Sequence, residues 1–172
     1  MKKNLSFIAV FLLLVSCNND NLSESKVAEV LKPLYPKSVI SNVQISDLSL
    51  SPSIPTEVKF LESKGLATYN FIPPGVSGYG CYGQLTENGN IYLDHVISRE
   101  FVALITSKVD FNEVISIKEI PEHNAAEVEY SEKVVEITPV GEMYKDLNMN
   151  KTYTKKIVLV KNSKGDWQLS DL

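Results

Sequence analysis

Between Pro73 and Gly83 the chain carries two prolines and four glycines in eleven residues. No helix or central strand tolerates that density, because proline removes a backbone donor and glycine is held least to one conformation. The flanking segments must therefore be separate elements joined by a loop. Upstream, Pro55 suits the first turn of a helix and Ser53 its cap. Val58, Phe60 and Leu61, set among Glu57, Lys59, Glu62 and Lys64, predict that helix over 56–64. Gly65 is the expected left-handed stop. Residues 66–72 then read as a strand and 82–85 as its return. The run Glu87-Asn88-Gly89-Asn90 carries an Asn-Gly turn signal before 91–97 continues the chain.

On the N-terminal side, Ser23 or Ser25 can cap a helix reaching 34. Val27, Val30, Leu31 and Leu34 form its apolar stripe, and Pro33 and Pro36 end it. Residues 38–51 stay open between a short helix and a strand. From Arg99 onward the pattern is β-like. Apolar runs cover 102–105 and 109–120. Over 126–137, Ala126, Val128 and Tyr130 alternate with Glu127, Glu129 and Ser131 before Val134-Val135 and Ile137 change the parity, which predicts a bulge. Pro139 and Gly141 close this strand, 143–150 reads as a loop, and 153–160 is a further strand. Asn162-Ser163-Lys164-Gly165 turns the chain into 166–169. The expected fold class is α+β, with helices and a hairpin in the first half and an antiparallel sheet over 99–172. Tyr130 and Tyr153 read as a cross-strand pair, and Glu127, Glu129, Glu132 and Glu136 as a solvated sheet face.

Lys2 and Lys3 precede a nine-residue apolar run over 7–15, too short to span a bilayer but suited to a signal peptide. The run ends in Leu14-Val15-Ser16-Cys17, which resembles a bacterial lipobox at every position. The resemblance implies that 1–16 is removed and that Cys17 carries acyl chains, palmitate among them. Residues 17–25 would then tether the fold to a membrane. Asn18 stands where an inner-membrane retention signal would place Asp, which implies an outer-membrane protein; the periplasmic face is the expected one, and the outward face stays open as the alternative. Without the two leader lysines, 15 basic residues face 21 acidic ones, a net of −6. That surface repels nucleic acid and anionic head groups. Once Cys17 is acylated, Cys81 has no partner for an intramolecular disulfide, and burial is its expected fate.

LESKGLA at 61–67, the glycine-bearing loop and YGQLTENGNIYL at 82–93 resemble the tail of a winged-helix domain. Small Gram-negative lipoproteins of unknown function look similar, with such a half joined to a β-rich half. The resemblance implies a winged-helix-like half over 26–98 ahead of the sheet. A DNA-binding winged helix is rich in Arg and Lys, whereas Glu57, Lys59, Glu62 and Lys64 sum to zero and 70–81 carries no charge. Nucleic acid is therefore not the expected partner.

His95 and His123 lie 28 positions apart without a cysteine or carboxylate at ligand spacing, so neither a metal nor a cofactor is expected. Val76-Ser77-Gly78 has the look of a nucleophile elbow but sits between two strands, not at a strand-to-helix turn. With no paired nucleophile and base, the expectation is a non-enzymatic envelope lipoprotein that binds another envelope protein or supports a structure. Its interaction surface would be Phe71, Tyr79 and Tyr82, unless those rings fill the seam between the halves. The alternative is a small-ligand lipoprotein with a cystatin-like or NTF2-like pocket in the β half. The anchor has a direct test: Cys17→Ala should abolish incorporation of labelled palmitate, and undiminished labelling would remove the lipobox from the account.

Overall fold

Ser23 opens the fold as a helix cap, its Oγ accepting from the Lys26 backbone N–H at 3.4 Å. Helix α1 (Glu24–Leu31) buries Val27 and Leu31 on one side, and Pro33 tightens its exit into a 3₁₀ turn over Lys32–Leu34. The computed structural model describes residues 21–49, 52–73 and 80–170; the expected signal peptide, Cys17 and Tyr79 lie outside them. Leu22, within the stretch expected as a tether, is buried, and its N–H donates to Glu119 Oε1 at 2.5 Å.

The open reading after α1 resolves as a strand, β1 (Lys37–Gln44). Beyond it the Asp47 carboxylate accepts from the N–H groups of Ser49 (3.0 Å) and Ser53 (2.8 Å) and from the Ser53 hydroxyl (3.2 Å). The Ser53 N–H bond is the first cause that lowers Asp47 to about 2. Ser53 thus closes the 47–53 loop instead of capping α2 (Thr56–Ser63), which starts after Pro55 without a side-chain cap. Gly65 takes the expected left-handed conformation, φ +69°.

Strands β2 (Ala67–Ile72) and β3 (Gly80–Leu85) pair as a separate antiparallel hairpin. The Asn-Gly segment that follows is not a hairpin turn. It is a short helix, α3 (Glu87–Asn90), whose Gly89 N–H donates to the capping Thr86 hydroxyl at 3.1 Å. Close approach explains the glycine: a Cβ on Gly89 would lie 1.9 Å from the Leu66 carbonyl oxygen. Gly83 in β3 is held to the same standard by Ile45 O, also at 1.9 Å.

The remaining strands are β4 (Leu93–Val96), β5 (Phe101–Ile120), β6 (Ala125–Ile137), β7 (Thr152–Lys161) and β8 (Trp167–Leu169). The two segments read separately in the sequence, 102–105 and 109–120, are one strand, and β5 runs unbroken for 20 residues. The antiparallel order is β1-β5-β6-β7-β8, with β4 pairing with the first residues of β5. The fold is therefore α+β, built on one curled antiparallel sheet. That sheet crosses the expected 98/99 boundary, since β1 and β4 precede it and pair with β5 beyond it.

Register shifts show where residues are inserted. Thr106 is extra in β5 opposite β1, Asn112 and Ile115 are extra opposite β6, and Val135 is extra in β6. The last is the bulge that the parity change predicts. Each insertion bends the sheet and restores the alternation, so one face stays apolar from end to end. Counting through the register places Val43, Val102, Leu104, Val109, Val128, Tyr130 and Leu159 on that face.

Two helices and the hairpin cover it. Val58 and Leu61 of α2, with Ala67 of β2, pack on Val43, Val102 and Leu104. Val27 and Leu31 of α1 pack on Val128, Tyr130 and Leu159. The opposite face is open among the described residues. Cys81 is fully buried at the seam, where its backbone exchanges two 2.9 Å hydrogen bonds with Asp47. No described helix is long and apolar enough to cross a membrane. The packing around Gly83 predicts that Gly83→Ala destabilises the protein by roughly 3 kcal/mol, since the clash is with backbone that must shift. Urea denaturation measures it, and an unchanged midpoint would contradict the close approach.

Candidate functional site

The row of β6 that faces the covered side reads Ala126, Val128, Tyr130, Glu132, Val134. A carboxylate in the middle of an apolar row must be compensated where it stands. Glu132 is buried, and the Tyr35 hydroxyl donates to its Oε1 at 2.5 Å. The Tyr35 and Tyr130 hydroxyls are 3.2 Å apart. Lys37 Nζ stands 3.9 Å from Oε1 and Lys155 Nζ 3.9 Å from Oε2. Phe111 stacks beside the phenols, with ring centroids 6.3 Å from Tyr35 and 6.0 Å from Tyr130.

Burial first, then the hydrogen bond to Glu132, holds the Tyr35 phenol well above its ordinary value. Burial likewise raises Tyr130. Both phenols are therefore neutral donors at physiological pH. The carboxylate is enclosed, and its Oε1 is taken by the Tyr35 hydroxyl. Its effect is mechanical: it ties the link between α1 and β1 to the middle of β6 and β7.

Glu132 corrects one expectation. It was grouped with Glu127, Glu129 and Glu136 as a solvated face, but its parity is that of Val128 and Tyr130. Counting by twos from Ala126 is the signal that would have found it. Tyr130 and Tyr153 share one face of adjacent strands but are diagonal, since the register sets Tyr130 opposite Lys155 and Tyr153 opposite Glu132.

The other three glutamates stand on the open face. Glu136 meets Lys108 at 2.8 Å, Glu127 meets Lys118 at 3.7 Å and Glu129 meets Lys156 at 4.0 Å. Such exposed pairs add little stability. The Lys118–Glu127 and Lys156–Glu129 pairs, but not Lys108–Glu136, line a hollow of about 710 Å³ whose walls also include Ser116 and Ser170. The volume is that of a ligand site, and its lining mixes these charged groups with the apolar Val128, Ile157, Val158 and Leu169.

Of the three aromatics singled out in the sequence, Phe71 and Tyr82 lie within the described residues and Tyr79 does not. Phe71 is 51% exposed and lies opposite Cys81, while Tyr82 is half-buried opposite Asn70, so the two rings leave opposite faces of the hairpin. His95 and His123 are both exposed, and His95 Nδ1 lies 2.7 Å from Asp94. Among the described residues no group of three or more His, Cys, Asp or Glu side chains is arranged around a common metal position. Burial, reinforced by the charge of Asp47, pushes the Cys81 thiol above its ordinary value, which keeps it protonated and unreactive. Comparison with protein families, with curated proteins and with solved structures finds no match to this chain.

The buried cluster predicts two outcomes. Glu132→Ala should cost about 2 kcal/mol, because the Tyr35 hydroxyl loses its acceptor in a buried setting while the half-exposed Lys37 and Lys155 add little. Tyr35→Phe should cost about 1 kcal/mol. A raised Tyr35 contributes stability that is complete below its ordinary value of 10.0 and is lost as pH rises beyond it. Urea midpoints followed from neutral to alkaline pH should fall above that value, and Tyr35→Phe should flatten the fall. An identical alkaline slope in both proteins would remove Tyr35 as its source.

Proposed function

We propose that this chain is a lipid-anchored envelope protein whose folded part is a non-enzymatic protein-binding module. The observation that carries the reading is the lipobox-like Leu14-Val15-Ser16-Cys17 placed directly ahead of the fold. Only four residues separate Cys17 from Leu22, which is already buried against β5 and β6. The five backbone steps from Cys17 to Leu22 reach at most about 18 Å. An acylated Cys17 would therefore hold the α1 end of the molecule close to the lipid surface, with no long stalk.

The open sheet face then supplies the contact surface. Its alternating Lys118–Glu127 and Lys156–Glu129 pairs suit a partner that matches charge on both signs, which favours specificity over raw affinity. The finer fold reading belongs with this proposal. We read α2, the β2–β3 hairpin and α3 as a winged-helix-like tail, supported by their order and by Thr86 capping the segment that Leu-Thr-Glu-x-Gly opens. One observation favours the second reading, a cystatin-like or NTF2-like ligand carrier. Helix α1 packs on one face of β5–β8, and the hollow lies on the other.

Crosslinking in intact envelopes separates the two. The native chain should capture a protein, and the double charge reversal Lys118→Glu and Lys156→Glu should lose it while the fold is retained. A recovery unchanged by that reversal would rule out the open face as the contact. Extraction of a polar small molecule in place of a protein would favour the carrier.

A further inference from the structure

The large sheet has three borders among its described strands, and two of them are guarded. β8 has three residues and β4 has four, the latter including Asp94 and His95. Short length and charge are the usual protections of a free edge. β1 has neither. It runs for eight residues, Lys-Ser-Val-Ile-Ser-Asn-Val-Gln, and its one charged side chain, Lys37, stands at its first residue, turned toward Glu132. The bulge in its pairing lies in β5, so β1 itself has no inserted residue. Among the described residues no backbone hydrogen bond reaches β1 from its outer side. Ile40, at its centre, is 42% exposed on the open face beside its register partner Ile105.

An edge of this kind is completed by an extended strand, and its sequence is self-complementary. Antiparallel pairing about a two-fold axis through Ile40 sets Ile40 opposite Ile40 of a second copy and Ser38 opposite Asn42. Lys37 falls opposite Val43, so no two like charges meet. In a chain with 21 acidic and 17 basic residues, a strip without any acid from 37 to 44 is one that two copies can bring together without carboxylate repulsion. We infer that two copies of this chain pair edge to edge through β1, joining their sheets into one continuous sheet of twelve strands. This goes beyond the function proposed above and does not rest on it.

The test uses the full chain. Residues facing each other across an antiparallel pair have Cα atoms about 4.5–5.5 Å apart, within disulfide reach. Ile40→Cys should therefore yield a disulfide-linked dimer under mild oxidation in the envelope, while Lys118→Cys, exposed on the same face but far along β5, should not. In detergent, light scattering should give twice the chain mass for the native protein and the single mass for Ile40→Lys, with circular dichroism unchanged. A native protein of single mass would overturn the inference. So would equal crosslinking of Ile40→Cys and Lys118→Cys.

Discussion

The pairing of β5 along its whole length is the constraint on which this structure depends. Its 20 residues extend roughly 60 Å, farther than one small core needs. The first residues lie between β1 and β4, the last beside β6, so both hydrophobic clusters hang on the same strand. Neither cluster is self-sufficient. The one under α2 takes Val102 and Leu104 from β5, and the one under α1 is closed by Phe111, Val114 and Ile117 farther along. A regular strand of this length would twist its apolar side away from the helices. The inserted Thr106, Asn112 and Ile115 prevent that by bending the strand and resetting its alternation.

Polar groups do the fastening where apolar contact cannot. Glu132 joins β6 to Tyr35 and Lys37 at the start of β1 and to Lys155 on β7, three segments far apart in sequence. Asp47 does the corresponding work for the hairpin. It organises the loop before α2 through Ser49 and Ser53, and its backbone pairs with that of Cys81. Once both fastenings are in place, one side of the sheet is fully occupied. Among the described residues the opposite side and the outer edge of β1 stay uncovered.

Much of the local structure was legible. Pro55, Gly65 and the loop after Ile72 punctuate the chain where α2, β2 and β3 begin and end, because proline and glycine restrict or free the backbone whatever surrounds them. Ser23 caps α1 for the same local reason. The parity change after Ser131 marked the Val135 bulge. What was not legible depended on partners distant in sequence. Asn88-Gly89 has the composition of a hairpin turn, but the nearness of Leu66 O and the Thr86 cap make it helical. Residues 38–51 were undecided because β5, some 65 positions onward, is what makes 37–44 a strand. The aromatics around the glycine loop suggested a patch, whereas the hairpin register turns Phe71 and Tyr82 apart.

The sequence by itself determined the class of fold, the position of most element boundaries, the lipobox-like motif at Cys17 and the acidic balance of the chain. These follow from backbone preferences, alternation and charge, all of which are local or additive. Only the tertiary structure decided that residues on both sides of position 98 share one sheet, that Tyr35 and Lys155 meet at Glu132, and that β1 is a border among the described strands. Those outcomes turn on which strand lies beside which. Strand pairing is a contest between distant segments, so no window of the chain contains the answer.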